Sequence, residues 1–335
     1  MIDEMHAEPE TYYLIDGYAE IFRAYYAIRR PLYSPTTGEP TNAVLVFSQM
    51  LLKLLTELRP DHIVFALDAP GETFRDELHR QYTATVESVP ASLETQITPA
   101  LVEPSPEPPG YKGTRIATPD LLMQQVPRIL ELVRLCGIPV IACGGMEADD
   151  VIATLTTRIA KDVTESEQRP RHIRIVSPDK DLEQLITDGD RCRVTLYDVR
   201  TGAETDVEAV RQKRGVGPER IVDYLALTGD AVDNIPGVPG IGPRTAAKLL
   251  TRYGTLDGIR DNLTEIEPRW REVLAQAMPL QLPLSRRLIE LERNAGITFD
   301  PEQARVLKNM PTTELETFFE ALGLMRLKQS FSSLP

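Results

Sequence analysis

The sequence predicts an α/β fold, a doubly wound and mostly parallel sheet, followed by an α-helical region. Two observations support this prediction. Short apolar runs that end in acidic residues alternate with amphipathic stretches over residues 1–200, whereas residues 201–335 carry amphipathic stretches without such runs. We therefore expect an α/β domain over the first range and a helical region over the second. A chain of 335 residues is long enough to give each its own hydrophobic core.

The first two strands are predicted at residues 12–16 and 62–68, each an apolar run that closes on an aspartate, Asp16 and Asp68. Between them, residues 19–28 follow the helical period, and a second helix begins near residue 41. An aspartate after a strand is most often a helix cap or a turn residue. Two of them in matching positions favour a shared role.

Three further strands are predicted at residues 137–142, 173–178 and 193–198. The first of these leads into a cluster of three carboxylates within four residues, Glu147, Asp149 and Asp150, and the second leads into Asp179 and Asp181. Before this cluster we expect a helix over residues 120–136, in which Pro127 marks a late start or a kink.

The acidic residues that follow these strands are expected to meet, because the carboxyl ends of parallel strands lie at one edge of a sheet. Carboxylates suit Mg²⁺ or Mn²⁺, and no histidine, which would suit zinc, lies in the Glu147–Asp150 cluster. Acidic residues in a first helical turn also complement the helix dipole, and that alternative stays open for this cluster taken alone. The expected set is Asp16, Asp68, Glu147, Asp149, Asp150, Asp179 and Asp181.

A weak internal repeat with an offset of 29 residues occupies the region after the second strand. Its two copies flank a proline-rich stretch at Pro99–Pro109, which we expect to form an extended loop. Only the second copy carries a lysine and an arginine, Lys112 and Arg115. The matched positions are Tyr82, Thr85, Pro90, Leu93, Gln96 and Leu101 in the first copy and Tyr111, Thr114, Pro119, Leu122, Gln125 and Leu130 in the second.

The helical region opens with a predicted helix at 218–227 and then a glycine-rich turn. Glycines at 237, 240 and 242 allow a close approach to a phosphate, and the amides that open the next helix, near Pro243, face the same way. A tight turn between helices is the alternative explanation for these glycines. The candidate contacts are Gly237, Gly240, Gly242, Arg244, Thr245 and Lys248.

Together these motifs resemble the 5′-nuclease (flap endonuclease) family, most closely its branch in the 5′→3′ exonuclease domain of bacterial DNA polymerase I. The resemblance covers residues 12–327 and implies a PIN-like α/β nuclease domain followed by a helix–three-turn–helix DNA-binding region. It rests on Leu14-Ile-Asp-Gly, Phe74-Arg-Asp-Glu-Leu, Tyr111-Lys-Gly-Thr-Arg, Glu147-Ala-Asp-Asp, Asp179-Lys-Asp and the segment Gly229–Gly242.

The resemblance implies a structure-specific 5′→3′ exonuclease and 5′-flap endonuclease that acts by a two-metal-ion mechanism in replication and repair. It assigns Asp16, Asp68, Glu147, Asp149 and Asp150 to one Mg²⁺ (or Mn²⁺) ion, and Asp179, Asp181, Asp230 and Asp233 to a second. It further implies that Lys112, Arg115 and Arg23 act on the scissile phosphate or its 5′ side, and that Tyr111, Arg75 and the glycine turn contact DNA, the turn with a K⁺ ion.

Two departures from the family pattern stand out. The Tyr-Lys-x-x-Arg segment lies 29 residues later than expected, so we predict an enlarged arch over residues 74–120 with Lys112 as its catalytic cation. Pro243-Arg244 stands where the branch usually has Glu-Lys, which keeps a positive charge. The alternatives are a PIN-type ribonuclease and a non-catalytic flap-binding protein. A stand-alone enzyme and a piece of a longer polymerase are both compatible with the sequence.

The overall charge of −13 at first argues against a nucleic-acid partner. Setting aside the nine candidate ligands leaves 41 acidic against 37 basic residues, so basic patches are compatible with the composition. Three cysteines without a C-x-x-C pair favour a reducing compartment. The N-terminus has no apolar signal segment, and no run approaches the ~20 residues of a membrane span. We expect a cytoplasmic, nucleoid-associated monomer whose partner is DNA with 5′ flaps, nicks or 5′ ends beside duplex.

Overall fold

The computed structural model describes residues 8–87, 111–112, 118–164, 169–306 and 310–334. The chain forms two compact units, and each is discontinuous in sequence. Unit 1 comprises Met1–Ala69, Ala117–Asp206 and Glu292–Pro335, and unit 2 comprises Pro70–Ile116 and Val207–Leu291. The predicted boundary between two domains at residue 200 therefore stays a prediction. The compact units are made of segments that alternate along the chain.

Unit 1 is built on a seven-stranded sheet, counted over the part of the chain that the structure describes. The strand order is β3-β2-β1-β4-β6-β5, and β7 also pairs with β6. The strands are β1 (Glu10–Asp16), β2 (His62–Ala66), β3 (Val140–Ile141), β4 (Arg171–Val176), β5 (Thr187–Asp188), β6 (Cys192–Tyr197) and β7 (Glu204–Thr205).

The pairs β1–β2, β1–β4, β2–β3 and β4–β6 are parallel, and only the short strands β5 and β7 run antiparallel to β6 among the described pairs. The central strand β1 is fully buried from Tyr12 to Asp16, which explains its continuous apolar run. The predicted fold, a doubly wound and mostly parallel α/β sheet followed by helices, is confirmed.

The helices of unit 1 cover the sheet and bury their apolar faces against it. Pro127 marks a late start: the expected helix over 120–136 is two helices, and Pro127 lies in the first turn of the second. The helices are α1 (Gly17–Ala27), α2 (Asn42–Lys53), α4 (Asp120–Met123), α5 (Val126–Leu135), α6 (Ala148–Thr164), α13 (Thr312–Ala321) and α14 (Met325–Ser332).

The remaining helices belong to unit 2, which has no strand among its described residues. They are α3 (Phe74–Glu87), α7 (Val207–Arg214), α8 (Ile221–Thr228), α9 (Pro243–Tyr253), α10 (Leu256–Asp261), α11 (Pro268–Ala277) and α12 (Gln281–Ile289). Helix α8 packs against both α9 and α12, and α12 also packs against α3. Within the described residues, no helix combines the length and apolarity needed to cross a bilayer.

Candidate active site

Asp16 lies at the carboxyl end of β1 and joins it to the neighbouring strand β4. Its Oδ1 accepts a hydrogen bond from the Ala19 amide at 3.2 Å, which caps helix α1. Its Oδ2 accepts a hydrogen bond from the Ser177 hydroxyl at 2.8 Å, just beyond the end of β4. The carboxylate is thus a helix cap and, at the same time, a group held in a fixed orientation at the sheet edge.

Asp68 follows β2 at the same edge of the sheet, two residues after that strand ends. Its Oδ1 accepts a hydrogen bond from the amide of Ala148, the first residue of α6, at 2.7 Å. The acidic cluster that begins α6 is therefore fixed against the end of β2. Asp68 and the Glu147–Asp150 cluster therefore lie next to each other in unit 1, as the sequence analysis expected.

Within that cluster the three carboxylates differ in their surroundings. Asp150 is fully buried; its Oδ2 accepts the Glu147 amide at 3.1 Å, and its Oδ1 accepts the Glu292 amide at 2.8 Å. Glu147 is buried as well, whereas Asp149 is half-buried. Both oxygens of Asp150 accept backbone amides, so this carboxylate is held in a fixed orientation within unit 1.

The acidic residues after β4 form a short chain of hydrogen bonds. The Ser177 hydroxyl accepts the Asp179 amide at 3.1 Å, and Asp179 Oδ1 accepts the Asp181 amide at 2.9 Å. Asp181 is buried and begins a 3₁₀ turn, Asp181–Leu185. Ser177 therefore connects Asp16 with the Asp179–Asp181 pair, a role that the sequence analysis missed. The one pattern that pointed to Ser177 was its position, directly after a buried strand and shortly before two acids.

The acidic residues at the carboxyl edge of the unit 1 sheet form an acidic rim: Asp16, Asp68, Glu147, Asp149, Asp150, Asp179 and Asp181. Four of them, Asp16, Glu147, Asp150 and Asp181, are buried. Burial raises the pKa of Asp16 to about 7, and the charges of Asp179 and Asp68 add to this effect. The hydrogen bonds from Ser177 and Ala19 oppose it. A carboxylate whose ionisation is disfavoured by burial and like charges is one that a bound cation would stabilise. The donors are all carboxylate oxygens, so the site fits a hard divalent ion such as Mg²⁺ or Mn²⁺.

Unit 2 carries a second acidic loop between α8 and α9. The backbone groups of Asp230 and Ile235 pair in both directions, at 2.8 and 2.7 Å, and close the loop. Asp230 Oδ1 also accepts the Val232 amide at 2.9 Å. Carboxylate oxygens of Asp230 and Asp233 lie within 4.8 Å of each other, and both residues are buried. The family pattern assigns these two acids, together with Asp179 and Asp181, to the second ion.

Lys112 lies beside this acidic loop in unit 2. Its backbone amide donates to the Asp233 carbonyl at 3.2 Å, and its Nζ lies 5.1 Å from the centroid of the Tyr111 ring. Tyr111 is only 9% exposed, so its ring is packed within the protein. The expectation that Tyr111 stacks on a DNA base does not fit this packing.

Arg115, predicted to assist Lys112, lies outside the described residues. The same is true of the proline-rich stretch Pro99–Pro109 and of five matched positions of the internal repeat, Pro90, Leu93, Gln96, Leu101 and Thr114. The start of the first copy falls in helix α3, whose backbone extends to Glu87. The enlarged arch over 74–120 therefore stays a prediction.

Two predicted cationic contacts have protein partners. Arg23 pairs with Asp198, after β6, and with Glu20, one helical turn away at 3.2 Å. Burial works against it, but the hydrogen bond with Asp198 and the two negative charges raise the pKa of Arg23. Asp198 was not anticipated, although an acid after a strand fits the pattern of the others. Arg23 remains partly exposed, and its predicted role at the 5′ side is retained as a proposal.

Arg75 requires a correction. The sequence analysis placed it at the DNA, but its side chain is 1% exposed. Its Nε donates to the Leu288 carbonyl at 2.7 Å and its Nη2 donates to the Glu290 carbonyl at 3.2 Å. These carbonyls lie at the end of α12, where a cation is favoured by the helix dipole. Arg75 therefore fastens the start of α3 to α12 instead of facing solvent.

The glycines of the turn before α9 separate into two kinds. A Cβ on Gly237 would lie 2.4 Å from the carbonyl carbon of Thr228, so this glycine permits a close approach within the protein itself. At Gly240 and Gly242 a Cβ would meet nothing within 4 Å, and Gly240 has a positive φ of 77°. Only the last two leave room for an outside ligand. Gly237 thus has a structural role in the turn, and its predicted contact with DNA stays a prediction.

The basic residues of α9 lie at the start of the helix and along one face. Gly242 is the N-cap and Pro243 the first residue. Arg244 and Lys248, four residues apart, are exposed on the same face, and Thr245 is half-buried. Lys248 Nζ lies 5.8 Å from the centroid of the Trp270 ring. This surface can offer two cations and open backbone amides to a phosphate chain.

Solved structures show a similar fold. The chain superimposes on T5 5′-exonuclease with bound divalent metal ions (zinc) with a TM-score of 0.59 and 17% identity, over 97% of this chain and 98% of that one. It superimposes on the catalytic core of Rad2 in complex with DNA substrate with a TM-score of 0.55 and 15% identity, over 99% of this chain and 94% of that one. At these identities the likeness concerns the fold.

Sequence relatives are closer. A 5′-3′ exonuclease of Aquifex aeolicus (strain VF5) is 32% identical over 297 residues, which cover 89% of this chain and 87% of the relative. DNA polymerase I of Bacillus caldotenax is 36% identical over 285 residues, 85% of this chain. The chain spans only 28% of the length of that polymerase.

Two family models match consecutive parts of the chain. The model of the 5′-3′ exonuclease N-terminal resolvase-like domain matches residues 11–102 and 106–215. The model of the 5′-3′ exonuclease C-terminal SAM fold matches residues 216–312. With the Aquifex relative, these matches identify the family that the acidic sheet edge and the glycine turn had indicated. The chain belongs to the 5′-3′ exonuclease family of metal-dependent nucleases, which includes the flap endonucleases.

Proposed function

We propose that this protein cleaves DNA phosphodiester bonds at 5′ flaps, nicks and 5′ ends that adjoin a duplex. The observation that carries the proposal is the set of oriented carboxylates at the carboxyl edge of the unit 1 sheet, in a chain that belongs to the 5′-3′ exonuclease family. The PIN-type ribonuclease alternative is disfavoured, because the match extends through residues 216–312, the SAM-fold region.

The metal site proposed for unit 1 uses the carboxylate oxygens of the acidic rim. Divalent ions bound there would activate a water molecule for in-line attack and stabilise the leaving oxygen. The protein's part is to hold the ligands: Ser177 and Ala19 orient Asp16, and Ala148 orients Asp68. Glu147, Asp149 and Asp150 complete the set, and the backbone amides of Glu147 and Glu292 orient Asp150.

For the second ion we retain the family assignment of Asp179, Asp181, Asp230 and Asp233. Mg²⁺ is the proposed physiological ion and Mn²⁺ a substitute, because hard oxygen donors with water in the remaining positions suit both. T5 5′-exonuclease with bound divalent metal ions (zinc) has a similar fold, which supports the binding of divalent ions here. A K⁺ ion at the turn Gly237–Gly242 is also retained as a proposal.

Cations are proposed to offset the charge that develops on the phosphate. Lys112 is the principal candidate, Arg115 its neighbour, and Arg23 a contact on the 5′ side. The open backbone at Gly240 and Gly242, with Arg244, Thr245 and Lys248, is proposed to bind the duplex backbone. Because phosphate contacts carry no base information, specificity is for DNA structure and not for sequence.

The test is a panel of 5′-labelled substrates with one common sequence: a 5′-flap duplex, a nicked duplex, an unbranched duplex, single-stranded DNA and single-stranded RNA. Each is incubated with Mg²⁺, with Mn²⁺ and with EDTA. We expect cleavage of the flap near its junction in Mg²⁺, slower cleavage of the unbranched duplex, and none in EDTA.

Two results would contradict the proposal. RNA cleaved as fast as the flap substrate would restore the ribonuclease alternative. A flap that is bound tightly but stays intact in both Mg²⁺ and Mn²⁺ would show that the catalytic assignment of the carboxylates is wrong. The unbranched duplex serves as the matched control, since it offers the same bases and ends without the junction.

A further inference from the structure

Lys112 and Asn234, on two separate segments of unit 2, share an unusual backbone conformation. Lys112 has φ of 56° and Asn234 has φ of 58°; Arg59, in unit 1, is the remaining non-glycine residue with positive φ in the described part of the chain. Side chains other than glycine are disfavoured in this left-handed region, and asparagine tolerates it best. Non-glycine residues stay in such a conformation when surrounding contacts hold them there.

The contact that joins the two segments is a backbone hydrogen bond. The Lys112 amide donates to the Asp233 carbonyl at 3.2 Å. The plane of the peptide between Asp233 and Asn234 is set by ψ of Asp233 and φ of Asn234, so the left-handed φ of Asn234 fixes where this carbonyl points. A negative φ at Asn234 would rotate the carbonyl away from Lys112.

The loop that presents this carbonyl is itself closed at its base. Asp230 and Ile235 pair through both backbone groups, and the Val238 amide donates to the Leu227 carbonyl at 2.9 Å. Gly229 and Gly237 approach so closely that a Cβ on Gly229 would lie 2.4 Å from the Gly237 amide nitrogen. The four residues between Asp230 and Ile235 therefore form a turn with little freedom to shift.

Helix α12 contacts both the acidic loop and the start of α3. Gln281 Nε2 donates to the Gly237 carbonyl at 3.0 Å, and the Ser285 hydroxyl donates to the Pro236 carbonyl at 3.3 Å. Further along the same helix, the Leu288 carbonyl accepts from Arg75, at the start of α3. The acidic loop and the first residues of the predicted arch are thus fastened to one rigid element.

We propose that Asn234 is a positioning residue for Lys112. Its left-handed backbone turns the Asp233 carbonyl toward the Lys112 amide, and this bond holds the catalytic cation at a fixed place beside the acidic loop. The inference rests on the proposed function of Lys112. Asp233 then acts twice, with its carboxylate as a proposed metal ligand and with its carbonyl as the anchor of Lys112.

The test compares Asn234→Val with Asn234→Gly. Valine is strongly disfavoured at positive φ, while glycine accepts it, and neither substitution changes the charge of the acidic loop. Two quantities are measured: amide hydrogen exchange at Lys112 in metal-free protein, and the single-turnover rate of flap cleavage in Mg²⁺. Binding of the flap substrate in Ca²⁺ is measured alongside.

For Asn234→Val we expect Lys112 exchange to accelerate and cleavage to slow, each by about tenfold or more, from the loss of a strain-compensated conformation. Flap affinity should stay within about twofold, because Lys112 is proposed to act on the reacting phosphate. Asn234→Gly should stay within about threefold of wild type in both quantities. Arg59→Val is the matched control, because it places the same strain in unit 1 and should leave Lys112 exchange unchanged.

Unchanged Lys112 exchange in Asn234→Val would overturn the proposal, and so would an equal loss in Asn234→Gly, since the side chain and not the backbone would then matter. Thermal unfolding of each variant separates a local effect from a failure to fold. The exchange measurement needs no metal and no substrate. If wild-type protein fails to cut the flap, the proposed function falls while the anchoring of Lys112 is still decided by exchange.

Discussion

At the scale of single residues, the acidic rim shows that a structural role and a functional one are compatible. Asp16 caps α1 and Asp68 accepts the first amide of α6, as an ordinary aspartate after a strand would. These hydrogen bonds, with that from Ser177 to the second oxygen of Asp16, fix the orientation of each carboxylate. Sequence reasoning found these positions from the alternation of strands and acids. It could not show that Asp150 accepts two backbone amides, because a partner such as Glu292 lies far along the chain.

Asp150→Asn and Asp149→Asn are expected to differ in kind. Asparagine at 150 replaces one buried acceptor oxygen with a donor that faces an amide, so it should lower the free energy of unfolding by roughly 1–3 kcal/mol. Asparagine at 149, which is half-buried, should lower stability less and abolish cleavage. Chemical unfolding and flap cleavage of both variants check this. Equal stability of the two variants would contradict the structural role of Asp150.

Gly237→Ala and Gly242→Ala separate the two kinds of glycine. The new Cβ at 237 would lie 2.4 Å from backbone atoms of Thr228, so we expect a loss of about 3 kcal/mol or more in stability. At 242 it would meet nothing within 4 Å, and φ is −87°, so stability should be unchanged while duplex affinity falls. Thermal unfolding and duplex binding are the measurements. A stable Gly237→Ala protein would show that the close approach is not needed.

At the scale of elements, the long parallel strands were predictable and the short antiparallel ones were not. Strands β1, β2, β4 and β6 lie where apolar runs predicted them, because burial on both faces gives a continuous pattern. Strands β5 and β7 have two residues each, too few for any period to show. The prediction for Arg75 was wrong for a related reason. The sequence around Arg75 does not show that its side chain donates to the carbonyls of Leu288 and Glu290, which lie far along the chain.

Helix α9 is predicted to bind the duplex through phosphate contacts, so its cations should set the salt dependence. Lys248→Ala should reduce the magnitude of the slope of log affinity against log salt by about 0.9, the value of one lost phosphate contact on B-DNA. Arg326→Ala removes an exposed cation from α14 in unit 1 and serves as the control with an unchanged slope. Equal slopes for wild type and Lys248→Ala would exclude Lys248 from the DNA contact.

A buried histidine on β4, His172, makes the stability of the fold depend on pH. Burial, with the charge of Arg174, lowers the pKa of His172 to about 4, although Glu204 at 3.2 Å acts in the opposite direction. Below pH 6.5, the ordinary value, the unfolded chain binds a proton that the folded protein does not. This group therefore destabilises the fold as pH falls from 6.5 toward 4.

His172→Gln should remove that contribution. Between pH 6 and 4.5 the wild type is expected to lose stability relative to the variant, with a slope that approaches about 1.4 kcal/mol per pH unit. Unfolding at several pH values for both proteins gives the difference directly, since the other titrating groups are shared. Parallel pH profiles would mean that His172 is protonated as readily in the folded state as in the unfolded chain.

At the scale of the whole molecule, the chain returns to its first unit after completing its second. The Val306 amide donates to the Asp61 carbonyl at 3.0 Å, and the Ala295 amide donates to the Thr154 hydroxyl at 3.0 Å, which ties the residues after 291 to unit 1. Local patterns predicted helices after residue 291 but not that these helices pack in unit 1. Contacts between residues more than 100 positions apart leave no periodic pattern in the sequence. The family, in contrast, was predictable, because its acidic positions and glycine turn are fixed by chemistry.

The most direct test of the central claim is the single-turnover rate of 5′-flap cleavage in Mg²⁺ by Asp149→Asn, with flap binding measured on the same protein. Asp120→Asn, which removes an exposed acid from the first turn of α4, is the control for a change in net charge. We predict that Asp149→Asn binds the flap and does not cut it, while Asp120→Asn cuts as wild type does. Undiminished cleavage by Asp149→Asn would contradict the assignment of the acidic rim as the metal site.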